Sequence, residues 1–247
     1  MSNTFSLDLV ATTAQTLGFA DEATRSAFLT TGQVDASWAA PKSTRIPMMM
    51  ARRLTIGERM ALDCALSLLS DKTQALVYAS HHSELERNHR ILTALAEHRD
   101  VSPTDFTLSV NNSAPGNLTI MTKRPLTVSA ISASHASFGA ALTEAYLMLQ
   151  DQYEEVLVVD CDGAIPEFYH PHLTAGEFTL PFASAWLLRR GSSLEVSCTA
   201  TNHCDGMVEL PASLAAWRVL SQGAGACELT VPGQHLQLRL NGAVTWA

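Results

Sequence analysis

The segment from Leu126 to Cys161 constrains the fold more than any other part of the chain. Leu126 to Ser132 is short and rich in β-branched and small residues, which predicts a strand. Ala136 to Gln150 is apolar almost all round, interrupted chiefly by Glu144. A helix without a polar face is one that a domain core surrounds. Val156 to Cys161 then forms a continuous apolar run of strand length, the pattern of a strand covered on both faces. Strand, buried helix, strand is a βαβ unit, and it predicts a layered α/β fold.

The flanking patterns extend that unit. Ile56, Met60, Ala61, Cys64, Ala65, Leu68 and Leu69 recur at helical spacing, and Ala75 to Ala79 reads as a buried strand. Leu85, Ile91, Leu92 and Leu95 predict a second amphipathic helix with Glu84, Glu86, Arg87 and Arg90 towards solvent. Ala185 to Leu188 and Leu194 to Ala200 read as two further strands, Ser213 to Leu220 as a helix, and Cys227 to Val231 and Leu236 to Leu240 as short strands. Residues 1–45 carry no clear period, and Pro41 and Pro47 bracket a loop. With no internal repeat, residues 1–247 are expected to form a single domain.

Bulk properties exclude some functions. The net charge of −8 argues against nucleic acid as the main ligand. The N-terminus lacks a secretory pattern and no run of about 18 apolar residues occurs, so a cytoplasmic protein without a membrane span is expected. The five cysteines show no CxxC spacing and read as free thiols. Only 16% of residues are charged against 47% hydrophobic, a mild sign of a covered surface.

A longer pattern runs through residues 102–146: Ser102-Pro103, Val110-Asn111-Asn112, Gly116-Asn117-Leu118-Thr119-Ile120, Pro125 and Ser137, with Val156 to Val159 downstream. In this order and spacing, Leu54 to Leu188 resembles the N-terminal half of a β-ketoacyl synthase. More narrowly, SPTDF-x-LSV-x-N resembles the short ketosynthase-like chain-length factors of aryl polyene biosynthesis. The resemblance implies a thiolase-like half fold, layered α/β with a mixed central sheet. It also implies a heterodimer with a full-length β-ketoacyl synthase, an acyl carrier protein met through that complex, and no cofactor.

In the same register His135 occupies the position of the nucleophilic cysteine. A thiolate at a helix N-terminus can carry an acyl chain as a thioester, whereas an imidazole forms at best a labile adduct. Ser134 would need an adjacent base and an inward-turned backbone. Neither the His-Gly-Thr motif nor the Gly-rich loop of the second ketosynthase half occurs in the chain. The resemblance therefore implies a non-catalytic subunit with no catalytic residue. A stand-alone decarboxylase or hydrolase of carrier-protein thioesters is the alternative.

By the same resemblance, Leu126, Thr127, Val128, Ser129, Ala130, Ile131, Ser132 and Asn112 would meet the partner. Phe106 and Leu108 would reach the partner's acyl tunnel and set product length. His135 itself reads as a structural histidine. His81-His82 and His170-Pro171-His172 have no acidic or cysteine companions beside them, so no metal site is expected. His203-Cys204-Asp205 are chain neighbours that do not converge on one substrate. Met48 to Met50 read equally as core filler and as a partner contact, and Gly116-Asn117 as a tight turn.

Overall fold

The computed structural model describes residues 2–173, 176–201 and 210–246. The chain opens with β1 (Ser2–Thr16), α1 (Glu22–Thr31), α2 (Met48–Ala51), α3 (Ile56–Leu68) and β2 (Ala75–Ala79). Next come α4 (Leu85–Ala96), α5 (Pro103–Thr107), α6 (Ser113–Thr122), β3 (Thr127–Ile131), α7 (Ser137–Gln150) and β4 (Glu155–Asp162). A 3-10 turn (Glu167–His172) leads to β5 (Phe182–Ala200), α8 (Ala212–Ser221), β6 (Ala226–Val231), β7 (Gln234–Leu240) and β8 (Thr245–Trp246).

The strands join one mixed sheet in the order β3-β2-β4-β5-β1-β8, with β7 also on β5 and β6 on β7. β3, β2 and β4 are parallel, while β5 runs antiparallel to β4 and β1. Each face of the sheet carries its own core. On one face Phe138, Leu142 and Leu149 of α7 pack with Trp217 of α8 and Phe28 of α1. On the other, Met60 and Leu62 of α3 and Leu118 of α6 pack on Leu76 and Leu157. Each such fully buried side chain contributes about 1.5–3 kcal/mol of apolar transfer. The predicted βαβ unit is present, but β2 inserts between its two strands.

Two helix starts are set locally. Thr55 and Glu58 form a reciprocal capping box at α3. Gly57 in the first turn lies so close to β4 that a Cβ would stand 2.7 Å from the Asp162 carbonyl oxygen and Gly163 Cα. At α7, Ser137 Oγ accepts from the Ala133 amide at 3.0 Å and donates to the Ser134 carbonyl at 2.6 Å, bracing the turn from β3.

Four readings of the sequence are corrected. The apparently patternless N-terminus forms β1, which pairs with β5 along its whole length. The two runs in 185–200 are one strand, interrupted by a bulge whose Ser192 and Ser193 amides donate to Asp8 at 2.8 and 2.9 Å. Gly116 and Asn117 lie inside α6, not in a turn. Most instructive is α4, whose expected faces are reversed in part. Leu92 and Leu95 are more than half exposed, while the Arg87 side chain is 2% exposed. Arg87 bonds Glu58 at 2.6 Å, Asp105 at 3.0 Å and Glu84 at 3.3 Å. Glu58 is buried on α3, and a buried carboxylate costs several kcal/mol unless paired, so the charged side of α4 turns inward. Glu84 is buried with it, whereas Glu86 and Arg90 stay at the surface.

Candidate functional site

The parallel strands β2, β3 and β4 end side by side, and the loops leaving such ends are where open α/β sheets place ligands. Here three histidines meet. His81 and His82 follow β2, His135 lies in the turn between β3 and α7, and Glu177 arrives from the segment before β5. The His81 and His82 rings stack with centroids 3.9 Å apart, and His135 meets His81 edge-on at 4.5 Å. Glu177 Oε1 lies 3.3 Å from His82 Nε2 and 4.0 Å from His81 Nδ1. Ser134 Oγ lies 3.2 Å from His81 Nε2.

The β2 loop is held from below. Asp162, buried at the end of β4, accepts from Ser80 Oγ at 2.5 Å and from the His82 and His81 amides at 2.8 and 3.2 Å. Ser83, in the left-handed region at φ 54°, donates its amide to Ser80 Oγ at 2.8 Å. Two strand ends thus fix the backbone of both histidines before any side chain is considered.

Burial and the neighbouring imidazoles His82 and His135 push His81 down to about 4, with Glu177 opposing. His135 is lowered too, chiefly by burial. Burial pushes Asp160, on the cavity wall, up to about 7, and the nearby Asp162 carboxylate adds to that rise. The cavity among His81, His82, His135, Asp160, Glu177 and Phe178 measures about 50 Å³. That is room for an ion or a few waters, not for an acyl chain.

Ser134 occupies a strand-to-helix turn with φ 55°, the backbone setting of a nucleophile elbow. The base that the sequence did not supply is therefore His81, brought from another strand. At about 4 it takes a proton weakly near neutrality, which makes the pair a poor nucleophile–base couple.

The other expected residues divide. β3 is the sheet edge, and Thr127, Val128, Ala130 and Ser132 are exposed there, with Leu126, Ser129 and Ile131 half-buried. Asn112 is exposed at the start of α6. Phe106 is 69% exposed on α5, whereas Leu108 is buried against this chain. Met48 and Met49 are exposed, but Met50 packs on the core. His170 bonds the Ile165 carbonyl at 3.0 Å. His203, Cys204 and Asp205 lie outside the described residues; the other four cysteines are buried free thiols, as expected. Glu177, Asp160 and Asp162 were not singled out from the sequence, because only the fold brings them to the histidines.

Residues 28–237 match the model of the β-ketoacyl synthase N-terminal domain. The chain belongs to this family. Its structure is similar to a chain of the ketosynthase ApeO in complex with its chain length factor ApeC from Xenorhabdus doucetiae. That match has a TM-score of 0.87 and 39% identity over 95% of this chain and 99% of that one. The ishigamide ketosynthase/chain length factor has a TM-score of 0.62 and 15% identity over 79% of this chain and 68% of that one. A β-ketoacyl synthase from Burkholderia phymatum has a TM-score of 0.55 and 14% identity over 87% of this chain and 69% of that one. The last two speak for the fold alone. No protein with a curated description matches significantly. The thiolase-like α/β fold with a mixed sheet is thus the one the ketosynthase resemblance implied, and no helix among the described residues is long and apolar enough to cross a membrane.

Proposed function

We propose that this chain is the non-catalytic, chain-length-factor-type subunit of a β-ketoacyl synthase heterodimer in an aryl polyene pathway. The observation that carries the reading is the sheet edge. Among the described residues β3 ends the sheet with one side of its backbone unpaired, and it leads straight into the turn where His135 would stand in place of the expected thiol. An open edge of this kind is an aggregation hazard unless something pairs with it. A ketosynthase offering its own equivalent strand would continue the sheet across the dimer.

Three further features favour this reading over a stand-alone decarboxylase or hydrolase. The cavity at the nucleophile turn is too small for a thioester substrate, and His81 is a weak base. The similar chain in the ApeO–ApeC complex is 39% identical and is covered over 99% of its length. Phe106 stands 69% exposed on α5, as a side chain reaching into a partner's tunnel would. Carrier protein would then be met through the complex.

Co-expression with the full-length ketosynthase of the same pathway tests the proposal. A one-to-one complex is expected by size exclusion and native mass spectrometry, with no carbon dioxide released from malonyl carrier protein by the isolated chain. His135→Ala should leave condensation by the complex largely intact. A stable monomer that ignores the ketosynthase removes the reading, and a thousandfold loss in an assembled His135→Ala complex would make His135 catalytic.

A further inference from the structure

We infer that His81, His82 and Glu177 form a binding site for a divalent transition metal ion, of which zinc is the best fit, beside the turn where relatives carry their nucleophile. The three side chains each offer one donor atom, and the three atoms lie within 4.8 Å of one another. Zinc bonds of about 2.0–2.2 Å place tetrahedral donors about 3.3–3.5 Å apart. His82 Nε2 and Glu177 Oε1 already stand at 3.3 Å, and His81 Nδ1 is 4.0 Å from the same oxygen. To close the remaining gap the half-buried His81 ring must turn out of its stack on His82, so that the in-plane lone pairs of both rings meet one ion. Two imidazoles and one carboxylate make a three-ligand zinc set, with the fourth position left to water.

The surroundings are those of a built site. Ligating imidazoles hold their orientation by bonding through the other ring nitrogen, and His81 Nε2 has Ser134 Oγ at 3.2 Å for that purpose. Asp162 fixes the backbone of both histidines through their amides. The cavity of about 50 Å³ fits an ion with one or two waters. Stacked imidazoles facing one carboxylate can also hold each other by hydrogen bonds alone, and that is the arrangement the experiment must separate from a metal site. The inference goes beyond the subunit's role in the heterodimer and does not depend on which partner it meets.

The test uses the full chain, stripped of metal with a chelator and then titrated with zinc by calorimetry. A cobalt(II) titration read by visible absorption runs alongside. One equivalent of zinc and the intense absorption of four-coordinate cobalt are expected. H82A and E177Q should each weaken zinc binding by at least about a hundredfold, since even an outer partner is worth about 10–100-fold. Ser134→Ala should weaken it about tenfold by freeing the His81 ring. His170→Ala, on the 3-10 turn, should bind as the parent does. A metal-free thermal melt of each variant identifies any that fails to fold, and H82A and E177Q stand in for one another. Parent-like affinity in a folded H82A or E177Q, or less than half an equivalent bound by the parent at micromolar zinc, overturns the inference.

Discussion

A proline in β3 separates pairing with a partner from pairing within the chain. The Thr127 amide donates to Gln74 at 3.1 Å and the Ile131 carbonyl accepts from Ser80 at 3.1 Å, with β2 and β3 in parallel register. Alternation along a parallel ladder therefore turns Thr127, Ser129 and Ile131 towards β2, and Val128 and Ala130 outwards. Ala130→Pro removes an outward donor while leaving every bond to β2, and edge strands tolerate proline on that side. The isolated chain should lose no more than about 1 kcal/mol. At the interface the facing carbonyl of the ketosynthase strand would be left without a donor, at about 1–3 kcal/mol. That converts to a complex about 5–150-fold weaker, since each 1.4 kcal/mol is a factor of ten. The Kd is read by interferometry on immobilised ketosynthase, beside thermal melts of the isolated chains. Ser129→Pro is the opposite control: it breaks a bond to β2 and should lower the melting temperature. If Ala130→Pro binds as tightly as the parent, β3 is not the partner strand and the heterodimer proposal loses its central observation.

Three further outcomes follow from individual side chains. Arg87→Met should cost about 3–5 kcal/mol, because it leaves Glu58 buried and unpaired, and a loss under about 1 kcal/mol in denaturant melts would refute the pairing. Phe106→Ala should change stability by less than about 0.5 kcal/mol while lengthening carrier-bound products, whereas Leu108→Ala should cost about 2–5 kcal/mol; unchanged product length for both removes them from the tunnel. Asp160 keeps its proton to about pH 7 when folded but gives it up near 3.8 when unfolded, so its contribution is complete below that lower value and is lost as pH rises through 7. Relative to Asp160→Asn, the parent should lose about 2–3 kcal/mol between pH 5 and 7, and parallel stability curves for the two would refute the assignment.

The centre of the fold was legible because its signal is local. β2 has the bounds its apolar run gives, and β3, α7 and β4 depart from theirs by at most a residue at each end. Elsewhere the deciding partner is remote. β1 carries an alternating Phe5, Leu7 and Leu9 on its buried side, yet Thr12, Thr13 and Thr16 are buried too, and buried threonines blur a period-two pattern. β5 reads as two runs because Arg189 to Ser193 interrupt the apolar pattern; they bulge out of one continuous strand, and Asp8 of β1 accepts from the Ser192 and Ser193 amides. On α4 the period was right and the phase was wrong in part: Glu86 and Arg90 face solvent as expected, and Arg87 does not. The spacing of Leu85, Ile91, Leu92 and Leu95 defines an apolar stripe, but Glu58 on a different helix decides which stripe is buried.

The same contrast governs the site. Histidines beside one another at 81 and 82 carry no metal-binding signal, because adjacent side chains on an extended chain diverge and a third ligand is needed to close the set. The structure removes the first objection by a loop: Asp162 gathers the amides of both residues, and the rings fold onto one another at 3.9 Å. It removes the second by topology, since β5 starts antiparallel beside the end of β4, with Phe182 opposite Asp162, and the segment entering it delivers Glu177 to the ends of the parallel strands. His135, which looks solitary in the sequence, becomes the third imidazole of the group for the same reason. In the proposed ketosynthase register this turn is the nucleophile position, and it is shaped by a helix N-terminus and three strand ends. An imidazole in place of a thiol would leave that converging geometry as it is, and polar groups drawn to it must pair with one another, with water or with an ion.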